Sequence, residues 1–188
     1  MVFMLSVPLL ISPAAAWSPQ THYDIASKVY YSLPLSVQHH LDLNELKRGA
    51  IAPDAVFKDF TDHQYSRSVP KAQNWLNKGK AAYKSKNYEY ASYCYGVAIH
   101  YISDSFAAPH CIYGESAAQH KAYENQATGM KPSIRYMSGS LKSLLSSGYK
   151  QGNKDWRLWI LGTRSPSITQ RDLNNAGSAS YSLIIDYI

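Results

Sequence analysis

The absences in this sequence narrow its reading first. Beyond the first residues, no segment approaches the roughly 18 uninterrupted apolar residues of a membrane-spanning helix, so no transmembrane segment is expected. Nor is there an alternating apolar and polar run bounded by hairpin turn residues, which argues against a β-sheet. Internal repeats and low-complexity tracts are missing. Cysteine is confined to Cys94 and Cys111, which allow one disulfide in an oxidising compartment or two buried thiols. Charged residues make up only 17 % of the 188. Bases exceed acids, and the net charge of +6 attracts anions, whether nucleic acid or an acidic membrane surface, without choosing between them.

Helical spacing fills the space that strands leave. Apolar positions recur at that spacing in Ile25 to Leu33, Val37 to Leu46, Ala72 to Tyr83, Tyr88 to Phe106, Ala117 to Ala127, Ile134 to Leu145 and Leu173 to Ile188. Breakers stand between them: Pro34, Pro53, Pro70, Pro109, Pro132, Gly148 with Gly152, and Pro166. The expected fold is therefore all-α, a single-domain helical bundle over residues 17–188. The lysines from Lys71 to Lys86 lie on a helix that buries Trp75, Leu76 and Tyr83, so a solvated polar face accounts for them better than a phosphate track. Most of the sixteen tyrosines are expected to pack in the core or at its edge.

Histidine is the residue that breaks this uniformity. From His100 to Glu124 the chain reads HYISDSFAAPHCIYGESAAQHKAYE, placing three imidazoles and two carboxylates within 25 residues. His100 and Asp104 are four apart, as are His120 and Glu124, so each pair shares one helix face. His110 lies beside Pro109, where a helix is expected to break, and can be aimed independently. The only other acid in the segment is Glu115. A lone His four residues from an acid is commonly a solvated pair; two such pairs with a fifth ligand type point to a metal, and to zinc by ligand chemistry.

Other parts of the chain supply more of the same chemistry. His22 follows Trp17 in WSPQTH, Asp54 closes GAIAPD, and His63 stands nine residues later in DFTDHQYS. His39 and His40 remain, and are expected to be a solvated pair at a helix start. Val2 to Ile11 is apolar apart from Ser6 and Pro8, and Ala14, Ala15 and Ala16 form a small-residue cleavage site directly before Trp17. No Lys or Arg precedes that run. Residues 1–16 are thus expected to be a signal peptide, and the remainder a secreted or extracytoplasmic domain, expected to be a monomer.

These elements together resemble the zinc-dependent phospholipase C family. Related to it are secreted single-strand-specific zinc nucleases and the N-terminal domain of glycosylphosphatidylinositol-specific phospholipase D. The resemblance spans Trp17 to Glu124 and rests on WSPQTH, GAIAPD, HxxxD, the His six residues after that Asp, and HxxxE. It implies a cleft binding three zinc ions. One set would be Asp54, His63, His100 and Asp104; another the Trp17 amine and carbonyl, His22 and Asp104; the third His110, His120 and Glu124. Asp104 would bridge the first two, and signal cleavage would activate the protein by freeing the Trp17 amine. Three carboxylates offset part of the charge of three dications, and an α-amine with pKa near roughly 7.7 to 8.0 ligates readily.

The implied reaction is phosphodiester hydrolysis by attack of a zinc-bound hydroxide on phosphorus, with Asp54 as ligand and candidate catalytic base. Phospholipid at a membrane or micelle surface is the first substrate expectation. Single-stranded nucleic acid is the alternative, and zinc binding with little turnover the second alternative. The last ligand, Glu124, is like that of the phospholipases, whereas the Trp17 to His22 spacing is like the nucleases. Only nine residues separate His110 from His120, fewer than in either branch. Of the headgroup positions used by phosphatidylcholine-preferring members, Phe60 could supply one aromatic, but Gln20 and Ala55 occupy the others, so choline specificity is not supported.

Overall fold

The computed structural model describes residues 17–188; the expected signal peptide, residues 1–16, lies outside them. Eight α-helices and no strand occur among the described residues: α1 Pro19–Ser32, α2 Leu35–Gln38, α3 Leu43–Ala52, α4 Ser68–Lys84, α5 Tyr88–Asp104, α6 Ala117–Ala127, α7 Leu141–Leu161 and α8 Pro166–Tyr187. A wide π turn, Pro53–Phe57, continues α3, and a 3-10 turn, Ala108–Cys111, follows α5. No helix among the described residues is long and apolar enough to cross a membrane.

Helix α5 is the axis of the bundle. Its residues from Ala91 to Asp104 are buried except Tyr93, and α1, α3, α4 and α8 pack around it. At the crossing with α3, Gly49 and Gly96 let the two backbones touch. A Cβ on Gly49 would lie 2.2 Å from the Tyr93 carbonyl oxygen, and one on Gly96 2.1 Å from that of Leu46. No side chain could enter there without separating the helices. That close approach brings the C-terminal end of α3 against the part of α5 that carries His100.

Helix starts follow ordinary capping chemistry. Ser18 accepts from the Thr21 amide (3.2 Å) at α1, Asp42 caps α3, Asn87 caps α5, and Ser116 with Gln119 forms a capping box on α6. The Asp42 cap corrects the expected single helix over Val37 to Leu46: the chain turns after Gln38 and restarts at Leu43. In that turn His40 is not simply solvated, since its ring stacks on Tyr88 at 4.4 Å and its Nδ1 lies 3.1 Å from the Tyr83 hydroxyl.

A second correction concerns Ile134 to Leu145. Residues 131–138 are not helical; they run along α8, where the amides of Ser133, Arg135 and Met137 donate to the side chains of Asn174, Ser178 and Ser182. Helix α7 instead begins at Leu141 and passes through Gly148 and Gly152, the residues expected to end it. Each glycine makes room for a neighbour. A Cβ on Gly148 would meet the Phe106 ring at 2.6 Å, and one on Gly152 the Cys111 sulfur at 2.5 Å. Cys94 and Cys111 are both buried free thiols, which removes the disulfide alternative.

Candidate metal centre

The expected ligands come from separate elements and meet at one end of the bundle. His22 is on α1, Asp54 in the π turn after α3, His63 in the loop before α4, His100 and Asp104 on α5, His110 in the 3-10 turn, and His120 and Glu124 on α6. Asp104 lies at the centre. Its Oδ2 is 2.5 Å from His63 Nδ1 and 3.2 Å from His100 Nε2, while its Oδ1 faces His22 Nε2 at 3.4 Å. Asp54 Oδ1 stands 3.5 Å from His63 Nε2 and 3.7 Å from His100 Nε2. His22, Asp54 and His100 offer ligand atoms within 4.8 Å of one another, as do His63, Asp104 and His110. These triads cut across the sets implied by the family resemblance, because Asp54, His63, His100 and Asp104 face a common space.

Trp17 closes the floor. It is fully buried and donates its indole N–H to the Ser103 carbonyl at 3.1 Å, beside Asp104. His110 and His120 form the opposite wall with ring centroids 5.1 Å apart, and His120 Nε2 approaches Glu124 Oε1 at 3.2 Å. His110 and His120 face a hollow of about 190 Å³ that is also lined by Phe60, Thr61, His63, Gln64, Arg67 and Glu115. Phe60 thus reaches the cleft, whereas Gln20 bonds Asp24 along α1 and Ala55 is exposed on the π turn.

The outer partners of these groups are specific. His100 Nδ1 donates to the Ala50 carbonyl at 2.8 Å, which leaves Nε2 facing the cluster. His63 Nε2 meets the Asp59 carbonyl. The Asp59 carboxylate in turn accepts from Tyr101 (2.9 Å), Lys71 (3.1 Å) and the amides of Thr61 and Asp62. Glu115 Oε1 stands 3.2 Å from His120 Nδ1. A carboxylate or carbonyl behind an imidazole fixes the tautomer that a metal needs. Asp59, Glu115 and Arg67 were missed as site residues from the sequence, although Glu115 stood out there as the one other acid among the histidines.

Electrostatics follow from burial and crowding. Burial opposes the Asp104 charge, but the imidazoles of His100 and His22 and the hydrogen bonds of His100 and His63 hold its carboxyl well below the usual range. Burial lifts Asp54. His22 and His110 are pushed down, first by burial, His110 to about 3. Burial also acts on His63, yet the hydrogen bond and charge of Asp104 outweigh it and raise it to about 9.

Six buried side-chain polar atoms among the described residues have no hydrogen-bond partner, and five of them are His22 Nε2, Asp54 Oδ1, Asp104 Oδ1, His110 Nδ1 and Glu124 Oε1. Leaving such a group unmet costs about 1–3 kcal/mol. Concentrating five in one cleft, all on zinc-type ligands, fits divalent cations. A family profile described as zinc dependent phospholipase C matches residues 21–171.

The chain belongs to the zinc-dependent phospholipase C family.

The fold agrees with that membership. Alpha-toxin of Clostridium perfringens, from an avian strain, superposes with a TM-score of 0.66 at 15 % identity over 93 % of this chain. Alpha toxin of Clostridium absonum does so with 0.64 at 14 % over 94 %. The chain spans 65 % of the length of each toxin structure. No curated protein matches it in sequence. Membership in the phospholipase C family brings zinc dependence with it.

Proposed function

We propose that this chain is a zinc-dependent phosphoric diester hydrolase of the phospholipase C type, cleaving glycerophospholipids into a neutral lipid and a phosphorylated headgroup. The observation that carries this reading is the concentration of unpartnered buried ligand atoms next to a hollow that His63, His110 and His120 line. The domain would comprise residues 17–188, released to the exterior by cleavage before Trp17. Asp54, His63, His100 and Asp104 would form one zinc set; His22, Asp104 and the Trp17 amine and carbonyl a second; His110, His120 and Glu124 a third. Zinc held by these residues would supply Lewis acidity toward phosphoryl oxygens and a nucleophile at neutral pH.

The residues of the chain divide the remaining work. Asp104 presents one oxygen to His22 and the other to His63 and His100, which suits a bridging carboxylate. Asp54, half-buried and raised in pKa, keeps one oxygen without a hydrogen-bond partner near His63 and His100 and would take a proton from attacking water. Arg67 lines the cleft, and its guanidinium suits a non-bridging phosphate oxygen. The burial of the Trp17 ring against Ser103 supports a ligating role for the adjoining N-terminal amine.

Zinc stoichiometry on protein whose N-terminus is verified as Trp17, with hydrolysis of phosphatidylcholine and single-stranded nucleic acid followed on the same sample, tests the proposal. Three zinc ions with lipid turnover is the expected result. Nucleic-acid turnover alone would replace the substrate, and fewer than two ions would overturn the ligand sets.

A further inference from the structure

The segment after Asp54 turns apolar side chains outward. Val56 is 65 % exposed, Phe57 40 % and Phe60 41 %, and exposed Lys58 stands among them in left-handed backbone at φ 53°. Phe57 does not return to the core. Its ring stacks on Trp75 of α4 at 5.6 Å and 7°, and Lys78 places its ammonium 4.1 Å from the same Trp75 ring. Single exposed apolar residues are ordinary, but three within five residues of one segment, the last of them lining the cleft, mark a contact surface. Aromatic bodies with lysine tips suit the boundary between acyl chains and headgroups, where the rings enter and the ammoniums stay at phosphate level.

Charge narrows the partner. The acids on the same loop are already neutralised: Asp59 by Lys71, and Asp62 by Lys71 and Arg67. Lys58 and Lys78 make no ion pair with the described residues, in a chain of net charge +6. The ledge therefore presents uncompensated positive charge beside apolar surface. A nucleic-acid strand would need open ring faces for its bases, yet Phe57 and Lys78 already occupy the Trp75 ring.

We propose that Val56, Phe57, Phe60 and Trp75, with Lys58 and Lys78, form a ledge that docks the cleft onto an anionic phospholipid bilayer. The inference rests on the phospholipid reading of the site, and adds to it the surface and the lipid charge that bring the protein to its substrate. Each lysine at an anionic surface is worth roughly a fivefold change in partition, and burying two apolar side chains at least tenfold.

The test uses zinc-loaded protein and two substrates. Binding is measured by sedimentation with vesicles of phosphonate lipids that resist cleavage, either choline headgroup alone or mixed with phosphatidylglycerol analogue. Turnover is measured on a short-chain phospholipid dissolved as monomers, which needs no surface. In the Val56→Ser/Phe57→Ser variant and separately in Lys58→Gln/Lys78→Gln, binding to the anionic vesicles should fall about tenfold or more, with monomer turnover unchanged. The lysine pair carries the test if the apolar pair fails to fold. Equal binding by the unaltered protein to both vesicle types would overturn the ledge, as would undiminished binding in the lysine variant. So would loss of single-stranded oligonucleotide binding in either variant with vesicle binding intact. Anionic vesicle binding without monomer turnover would instead sink the phospholipase reading and leave the ledge standing.

Discussion

At the floor of the cleft, His22 and His100 stack at 4.1 Å, His100 is anchored to the Ala50 carbonyl, and Asp104 reaches three imidazoles from the buried end of α5. At the rim, His110 sits on a four-residue 3-10 turn, and His120 on α6 is flanked by Glu115 from the loop before that helix and by Glu124 one turn later, both partly exposed. His22, His100 and Asp104 of the floor are thus held by helix packing, notably the glycine contact of α3 with α5. The rim is held by short segments and side-chain contacts. Preorganised ligands lose little freedom on binding, so the floor should retain zinc more tightly than the rim.

The largest effect that would break this contrast comes from Asp104. Asp104→Asn removes the negative charge that the two proposed floor sets would share, while leaving the rim ligands untouched. Zinc at the floor should be lost and the hydrolysis rate should fall by more than about a hundredfold, the ceiling for an outer-sphere change. Metal analysis of the purified variant should find only the rim ion. Wild-type zinc content in that protein would refute the bridging role.

A smaller change sharpens the contrast from the other side. Glu115 stands behind His120, and Glu115→Gln keeps a hydrogen-bond acceptor there but discards its charge. Rim affinity is expected to fall about tenfold to a hundredfold, and competition with a graded chelator should show one ion leaving earlier while the floor ions keep their places. A uniform shift of all ions would mean that rim and floor form one cooperative unit.

The same division governs how much was legible from sequence. The i, i+4 pairs His100/Asp104 and His120/Glu124 were readable because helix geometry alone puts them on one face, and helices α5 and α6 lie where their apolar spacing places them. Glu115 and Asp59 escaped because their roles depend on which way a loop folds back, something no period encodes. The extended stretch before α7 was hidden for a related reason: its amides are satisfied by side chains of a helix some 40 residues later. Gly148 and Gly152 misled in the opposite sense. Their helix-breaking tendency is overridden by packing, since Phe106 and Cys111 occupy the space a side chain would take.

The finest test of floor against rim counts protons. In the metal-free protein His63 has a pKa raised to about 9 and His110 one lowered to about 3. A raised folded value means that His63 stabilises the metal-free fold below about pH 6.5, and that this contribution fades as pH rises through about 9. The lowered value of His110 has the opposite sign: the unfolded chain takes up the proton first, so stability is lost as pH falls from about 6.5 toward 3. Zinc requires both imidazoles neutral. At pH 7.5 the floor must therefore expel the His63 proton that Asp104 holds, whereas His110 has none to give. Calorimetric titration in buffers of different ionisation enthalpy should find between one and two protons released as the floor fills, about one from His63 and part of another from the Trp17 amine. Release of less than one proton on the floor step would show that Asp104 does not hold a proton on His63.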